Sequence, residues 1–256
     1  MKRLLVVVLL SWASAIQAAD VRNPQAADIR LVTPPELGFF SKRLDFEGIP
    51  IKAHQVVSDE AMLEGYARLK MLFENLGPYR RQVLDNLIKS KVELHIIGRS
   101  QVTTDLPEWR KDKGKPLPEY NGKTRDERTR GMGGREVSCG EENLLKLPED
   151  RYRGRDICVH EFSHIIRNRG MAPGVRALFD EQHRKSLAKD LWTGSYAASN
   201  ANEFFAELSM WYFGTHGDLA MKGAKPKPGK DGLREYDPDA FKLFDDFYQG
   251  RSVWKP

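Results

Sequence analysis

The chain has 256 residues, of which 30% are charged and 40% hydrophobic, and it carries a formal net charge of +5. That length allows one domain or two small ones, and so mild a basic surplus is no nucleic-acid signature. After residue 18 the sequence offers no apolar run long enough for a transmembrane segment.

Residues 1–18 read as a secretory signal peptide. Lys2 and Arg3 form a positive start, Leu4 to Leu10 an apolar run, and Ala18 and Ala19 offer small residues for cleavage. Removing it lowers the charge to +3 by taking away Lys2 and Arg3. The mature protein is expected to be soluble and secreted or periplasmic. In such an oxidising setting the two cysteines, Cys139 and Cys158, are expected to form a disulfide. Residues 19–50, with Pro24, Pro34 and Pro35, read as an extended N-terminal arm or short prosegment, and residues 51–256 as the folded domain.

Ile49 to Val57 suggests a strand, and Ser58 is a good N-cap for a helix over Asp59 to Asn75. Its apolar positions, from Met62 and Leu63 to Leu72 and Phe73, recur at helical spacing. Gly77-Pro78 ends that helix and starts another, through about Ser90. Val92 to Gly98 alternates as a short strand. Residues 100–136 are rich in Gly and Pro and read as a long surface excursion, followed by a short strand over Glu136 to Cys139. Further helices are expected over Gly174 to Lys189, Asn200 to Phe213, and from Asp237-Pro238 onward, with a Lys/Pro/Gly loop over 222–235. Basic residues gather in Arg110 to Lys115, Arg125 to Arg135 and Lys222 to Lys230. These read as solvated loops, with attraction to an acidic polymer or membrane surface as the alternative. His54, His95, His183 and His216 read as structural.

Between the last strand and the later helices lies His160-Glu-Phe-Ser-His164, on a segment without Pro or Gly whose Ile157, Val159, Phe162, Ile165 and Ile166 are apolar. Histidines four apart on a helix lie one turn apart, so both imidazoles can reach one Zn²⁺. Glu161, next to the first histidine, projects near the same ion and can act as general base. Cys158 lies about 200° around the helix from His160 and points away from that face.

A catalytic zinc site needs a third protein ligand and an open position. Helix 200–213 offers Glu203 and Glu207, four apart among Phe204, Phe205, Leu208, Trp211 and Tyr212. Carboxylates on so apolar a helix need a partner. Spacing leaves the choice open. Asn200 with Glu203 also has capping-box spacing, which would leave Glu207 as the ligand.

The stretch Ser195 to Glu207, together with the His160–His164 motif, resembles the catalytic domain of anthrax lethal factor and its relatives, zinc metallopeptidases of the gluzincin type. The resemblance is close over roughly 155–213 and looser over 55–100. Ser163 stands where that family has Gly, and the toxin's carrier-binding and substrate-recognition domains have no counterpart here. The resemblance implies His160, His164 and Glu203 as zinc ligands, Glu161 as general base, Tyr196 as a donor to the oxyanion, and Glu207 as a partner that orients a ligand histidine. It implies an α+β fold, a mainly helical zincin-like metallopeptidase domain with a small mixed sheet and the motif on an active-site helix. The Gly-rich stretch from Gly131 to Ser138 reads either as a plain turn or as an edge that lines the cleft and pairs with extended substrate. The expected activity is hydrolysis of a peptide or protein substrate by an exported zinc metalloendopeptidase. The competing readings are a zinc-dependent hydrolase of peptidoglycan amide bonds and a non-catalytic binding module on a zincin scaffold. Binding alone would need neither Glu161 nor Tyr196.

Overall fold

The computed structural model describes residues 23–217 and 220–251. The expected signal peptide lies outside them. One five-stranded sheet runs β1 (Arg30–Glu36), β2 (Phe40–Phe46), β3 (Ile49–Ala53), β4 (Glu93–Ile97) and β5 (Glu136–Gly140), in that spatial order. The first three strands are antiparallel, whereas β3, β4 and β5 are parallel, so the sheet is mixed.

Residues 30–46, within the stretch read as an arm, thus belong to the sheet. Phe40, Leu44 and Phe46 alternate inward from β2 and are buried. Glu47 and Gly48 both take positive φ, the conformation that closes a tight hairpin into β3. Pro34 and Pro35 sit on β1, the sheet edge, where a missing N–H breaks no inner ladder.

Parallel strands need crossovers. The first uses α1 (Asp59–Phe73) and α2 (Pro78–Lys89). Ser58 caps α1, its Oγ accepting from the Ala61 N–H at 3.2 Å. At Gly65 the helix lies close on the sheet, since a Cβ there would sit 3.3 Å from Ile96 Cδ1 and 3.4 Å from Leu94 Cδ2. The second crossover is the excursion from 98 to 135, which holds only the short α3 (Arg125–Arg128) and three 3₁₀ turns. Two buried or half-buried arginines fasten it. Arg125 stacks 4.0 Å over the Trp109 ring and pairs with Asp112 at 2.6 Å. Arg130 pairs with Glu142 at 2.5 Å and donates to the Gly98 carbonyl at 3.2 Å.

After β5 come α4 (Glu141–Leu144) and α5 (Ile157–Ile165), the latter passing into a π-helical turn over Ile166–Gly170. Then follow α6 (Pro173–Ala188), α7 (Ala201–Tyr212), α8 (Gly229–Tyr236) and α9 (Pro238–Tyr248). The α8 helix occupies part of what the sequence suggested was loop. Its Gly232 packs on the Lys227 backbone so tightly that a Cβ would collide with it, and Leu233 enters the core. One large core joins the sheet, α1 and the C-terminal helices, with Phe73, Phe162, Phe179, Phe204, Phe205, Phe244 and Phe247 fully buried. The architecture is α+β. Among the described residues no helix is long and apolar enough to cross a membrane.

Candidate metal centre and its cleft

Helix α5 carries His160, Glu161 and His164. Its start is fixed from three sides. Asp156 is the N-cap, accepting from the Val159 N–H at 3.0 Å, and its other oxygen takes Arg68 of α1 at 2.5 Å. Asn143 of α4 accepts from the Ile157 N–H at 2.8 Å. The Cys139–Cys158 disulfide ties the first turn to β5, with the Cα atoms 5.2 Å apart. Glu141 and Glu142, at the start of α4, are structural: Glu141 receives the Ser58 and Arg99 N–H groups, and Glu142 holds Arg130.

Helix α7 packs on α5 and brings Glu203 to the histidines. The Nε2 atoms of His160 and His164 face each other at 3.1 Å, and Glu203 Oε2 lies 3.3 Å from each. Ligand atoms arranged tetrahedrally at zinc bond lengths lie about 3.3–3.6 Å apart, so the three fit one ion. Their chemistry fits as well. Glu203 Oε2 is buried without a hydrogen bond, and two imidazole nitrogens pointing at each other need a cation or a proton between them. Among the described residues this is the one group of three His, Cys, Asp or Glu side chains so disposed.

Asn200 caps α7 with its own side chain, accepting from the Asn202 and Glu203 N–H groups at 2.9 Å each. The Glu203 carboxylate is left to face the histidines. Glu207, one turn on and fully buried, stands behind the pair. Its Oε1 is 3.2 Å from His160 Nδ1, within ion-pair reach but off the line of a hydrogen bond. The same oxygen accepts from Arg155. Burial alone would lower the pKa of His160, but the carboxylates around it, Glu203 and Glu207 first, outweigh burial and push it up to about 10. The same histidines hold Glu203 well below the usual carboxylate range, against the opposing effect of its own burial.

Glu161 is turned the other way, toward the Gly-rich segment. Burial raises its pKa, with the two histidines and the Gly133 N–H acting in opposition. The approach is close: a Cβ on Gly133 would lie 3.0 Å from Glu161 Oε2, and one on Gly131 would strike Ile157 Cγ2 at 2.2 Å. Met132 pairs with Ser138 in an isolated antiparallel bridge, which folds this segment back along β5.

Tyr196, on a 3₁₀ turn before α7, stacks over His160 with ring centres 6.2 Å apart and remains 47% exposed. Desolvation and the neighbouring Glu203 push its hydroxyl up to about 12, so it is a donor at neutral pH. These side chains line one cleft of about 630 Å³, walled by the excursion through Arg128 and Gly131 to Gly134. The cleft thus gathers His160, Glu161, His164, Tyr196 and Glu203, with Glu207 just behind.

The other histidines lie elsewhere. His216 stacks on Trp211 at 3.5 Å, His183 packs on Phe204 and His54 on Phe39. His95 is buried between Glu108 at 2.6 Å and Glu93 at 3.0 Å. Arg155, Asp156 and Gly133 are site-building residues that spacing did not reveal. Asp156 ahead of an apolar helical run was the one legible cap signal among them.

No protein-family model and no curated protein matches the sequence. Among solved structures, the chain is similar in fold to the PRO-PRO endopeptidase (PPEP-2) from Paenibacillus alvei. The TM-score is 0.53 and the identity 15%, over 78% of this chain and 97% of that one.

Proposed function

We propose that the protein is a zinc-dependent endopeptidase of the gluzincin type, exported from the cell, with His160, His164 and Glu203 as the metal ligands. The observation that carries this reading is the convergence of three ligand atoms at 3.1–3.3 Å beside Glu161 and Tyr196 in an open cleft. The fold shared with an endopeptidase and the disulfide, which suits an oxidising compartment, support it.

A zinc ion held there would supply Lewis acidity, bringing the pKa of a water toward ~7 and polarising the scissile carbonyl. Glu161 takes the proton from the attacking water and returns it to the leaving nitrogen. Its raised pKa suits this two-way role better than that of an ordinary surface carboxylate. Tyr196 O–H donates to the oxyanion as it develops. Glu207, anchored by Arg155, fixes the ring plane of His160. The backbone of the Gly131–Gly134 segment offers an extended edge along which substrate can lie.

The test is cleavage of a diverse peptide mixture by the mature protein, read by mass spectrometry, with and without a zinc chelator. Cleavage that the chelator abolishes and added zinc restores supports the proposal. A folded, zinc-loaded protein that cuts no peptide, or cutting that chelation leaves intact, overturns it.

A further inference from the structure

The excursion that forms one wall of the cleft is charged unevenly, and Arg128 is the cation of it that lines the cleft itself. Residues 110–135 hold nine Lys and Arg against four Asp and Glu, a surplus equal to the +5 of the entire chain. The remaining sequence nets to zero. Four of these nine cations are paired with carboxylates: Arg125 with Asp112, Arg130 with Glu142, Arg135 with Glu136, and Lys113 with Asp105.

Arg128 is not. It is exposed, its guanidinium rests 6.0 Å from the Tyr120 ring centre, and it lines the cleft with no carboxylate partner among the described residues. Arg169, on the turn that follows α5, lines the same cleft, is also exposed, and likewise has no carboxylate partner among the described residues. The third arginine of the cleft, Arg155, is bound to Glu207. The carboxylates lining the cleft are Glu203, held against the two histidines, and Glu161, turned to the Gly133 backbone.

A peptide entering the cleft therefore meets two guanidiniums with open donors and no free acid to compete for them. A guanidinium offers a planar fork that matches a carboxylate, and a surplus of one sign along a cleft draws the opposite sign into it. We infer that the cleft selects acidic peptides, with Asp or Glu side chains flanking the scissile bond received by Arg128 and Arg169. This rests on the peptidase reading for its catalytic meaning, but the charge preference is a binding property in its own right.

Two arms keep the two apart. In the first, matched peptides that differ only by Glu or Gln beside the scissile bond are compared by kcat/KM. The Glu peptide should be favoured about fivefold at low salt, the size expected of a partly exposed ion pair, and the ratio should shrink at high salt. It should fall toward one in R128Q/R169Q and invert in R128E/R169E. In the second arm, fluorescent versions of the same peptides are bound to zinc-loaded E161Q, which needs no turnover. Tighter binding of the Glu peptide, lost in E161Q/R128Q/R169Q, supports the inference even if no peptide is ever cut. Equal binding and equal cleavage of both peptides overturn it while leaving a peptidase intact.

Discussion

Arg155 donates to the oxygen of Glu207 that stands 3.2 Å from His160 Nδ1, so a cleft arginine is linked through a fully buried acid to a proposed metal ligand. Glu203 and Glu207 therefore hold different posts on one helix face, and their variants should separate. E203A should lose most of the bound zinc. E207A should keep the site but weaken zinc binding by about 10–100-fold, the usual effect of removing a group that orients a ligand. Zinc content after dialysis against graded chelator measures both. If E207A empties the site and E203A does not, the ligand is Glu207.

Glu161 should be separable from the metal altogether. E161Q should retain one zinc per chain and lose about 10²–10⁴-fold in kcat, the range of general acid–base catalysis. G133A should act on the same group from outside, because its Cβ would crowd Glu161 Oε2 from 3.0 Å. It should reduce kcat with zinc content unchanged. Metal analysis beside steady-state kinetics checks both variants.

The pair of buried His95 and half-buried Glu93 gives stability a pH dependence of defined sign. Burial disfavours charge on His95, but Glu108 and Glu93 outweigh it and raise its pKa above 6.5. Its contribution is therefore complete below pH 6.5 and is lost as pH rises through the raised value. Burial likewise opposes ionisation of Glu93, but His95 and Lys52 pull its pKa down to about 2 from 4.5. That contribution is complete above pH 4.5 and is lost as pH falls toward about 2. The Tm advantage of the wild type over H95Q should narrow as pH climbs above 6.5. A gap that widens with rising pH would contradict the assignment.

Reduction should loosen the motif helix. The Cys139–Cys158 link closes a loop of sequence separation 19, for which chain entropy gives about 3 kcal/mol. C139S/C158S should lose about that much stability in urea titrations, and reductant should do the same to the wild type but leave the variant unchanged.

The sequence made legible what depends on local period and fixed chemistry. Helices α1, α2, α5, α6, α7 and α9 show helical spacing, a proline at their first turn or a capping side chain, and the structure has them within a few residues of the expected bounds. The two histidines and two glutamates stood out because a proposed metal site calls for these residue types at set intervals. Strands β1 and β2 were hidden by Pro34 and Pro35 and by Lys42, which leaves the inward alternation to pair with Asp59 at 2.7 Å. Helix α8 was hidden by its own glycines, Gly229 with its positive φ and Gly232, which its close packing on Lys227 requires. The roles of Arg155, Arg128, Arg169 and Gly133 arise only when distant segments meet, and no local pattern announces that.

The anchoring of the 98–135 excursion divides labour within the cleft. The proposed metal ligands stand on α5 and α7, whereas the opposing wall hangs on two clamps, Arg125 with Asp112 and Arg130 with Glu142. One clamp closes inside the excursion and the other reaches α4, and neither touches a histidine of the centre. The wall is thus a cassette: its lettering between the clamps can be rewritten, by selection or by grafting, while the machinery beneath keeps its geometry. Diversification of such a cleft would be read first in loop residues such as Arg128, and last in the helix pair.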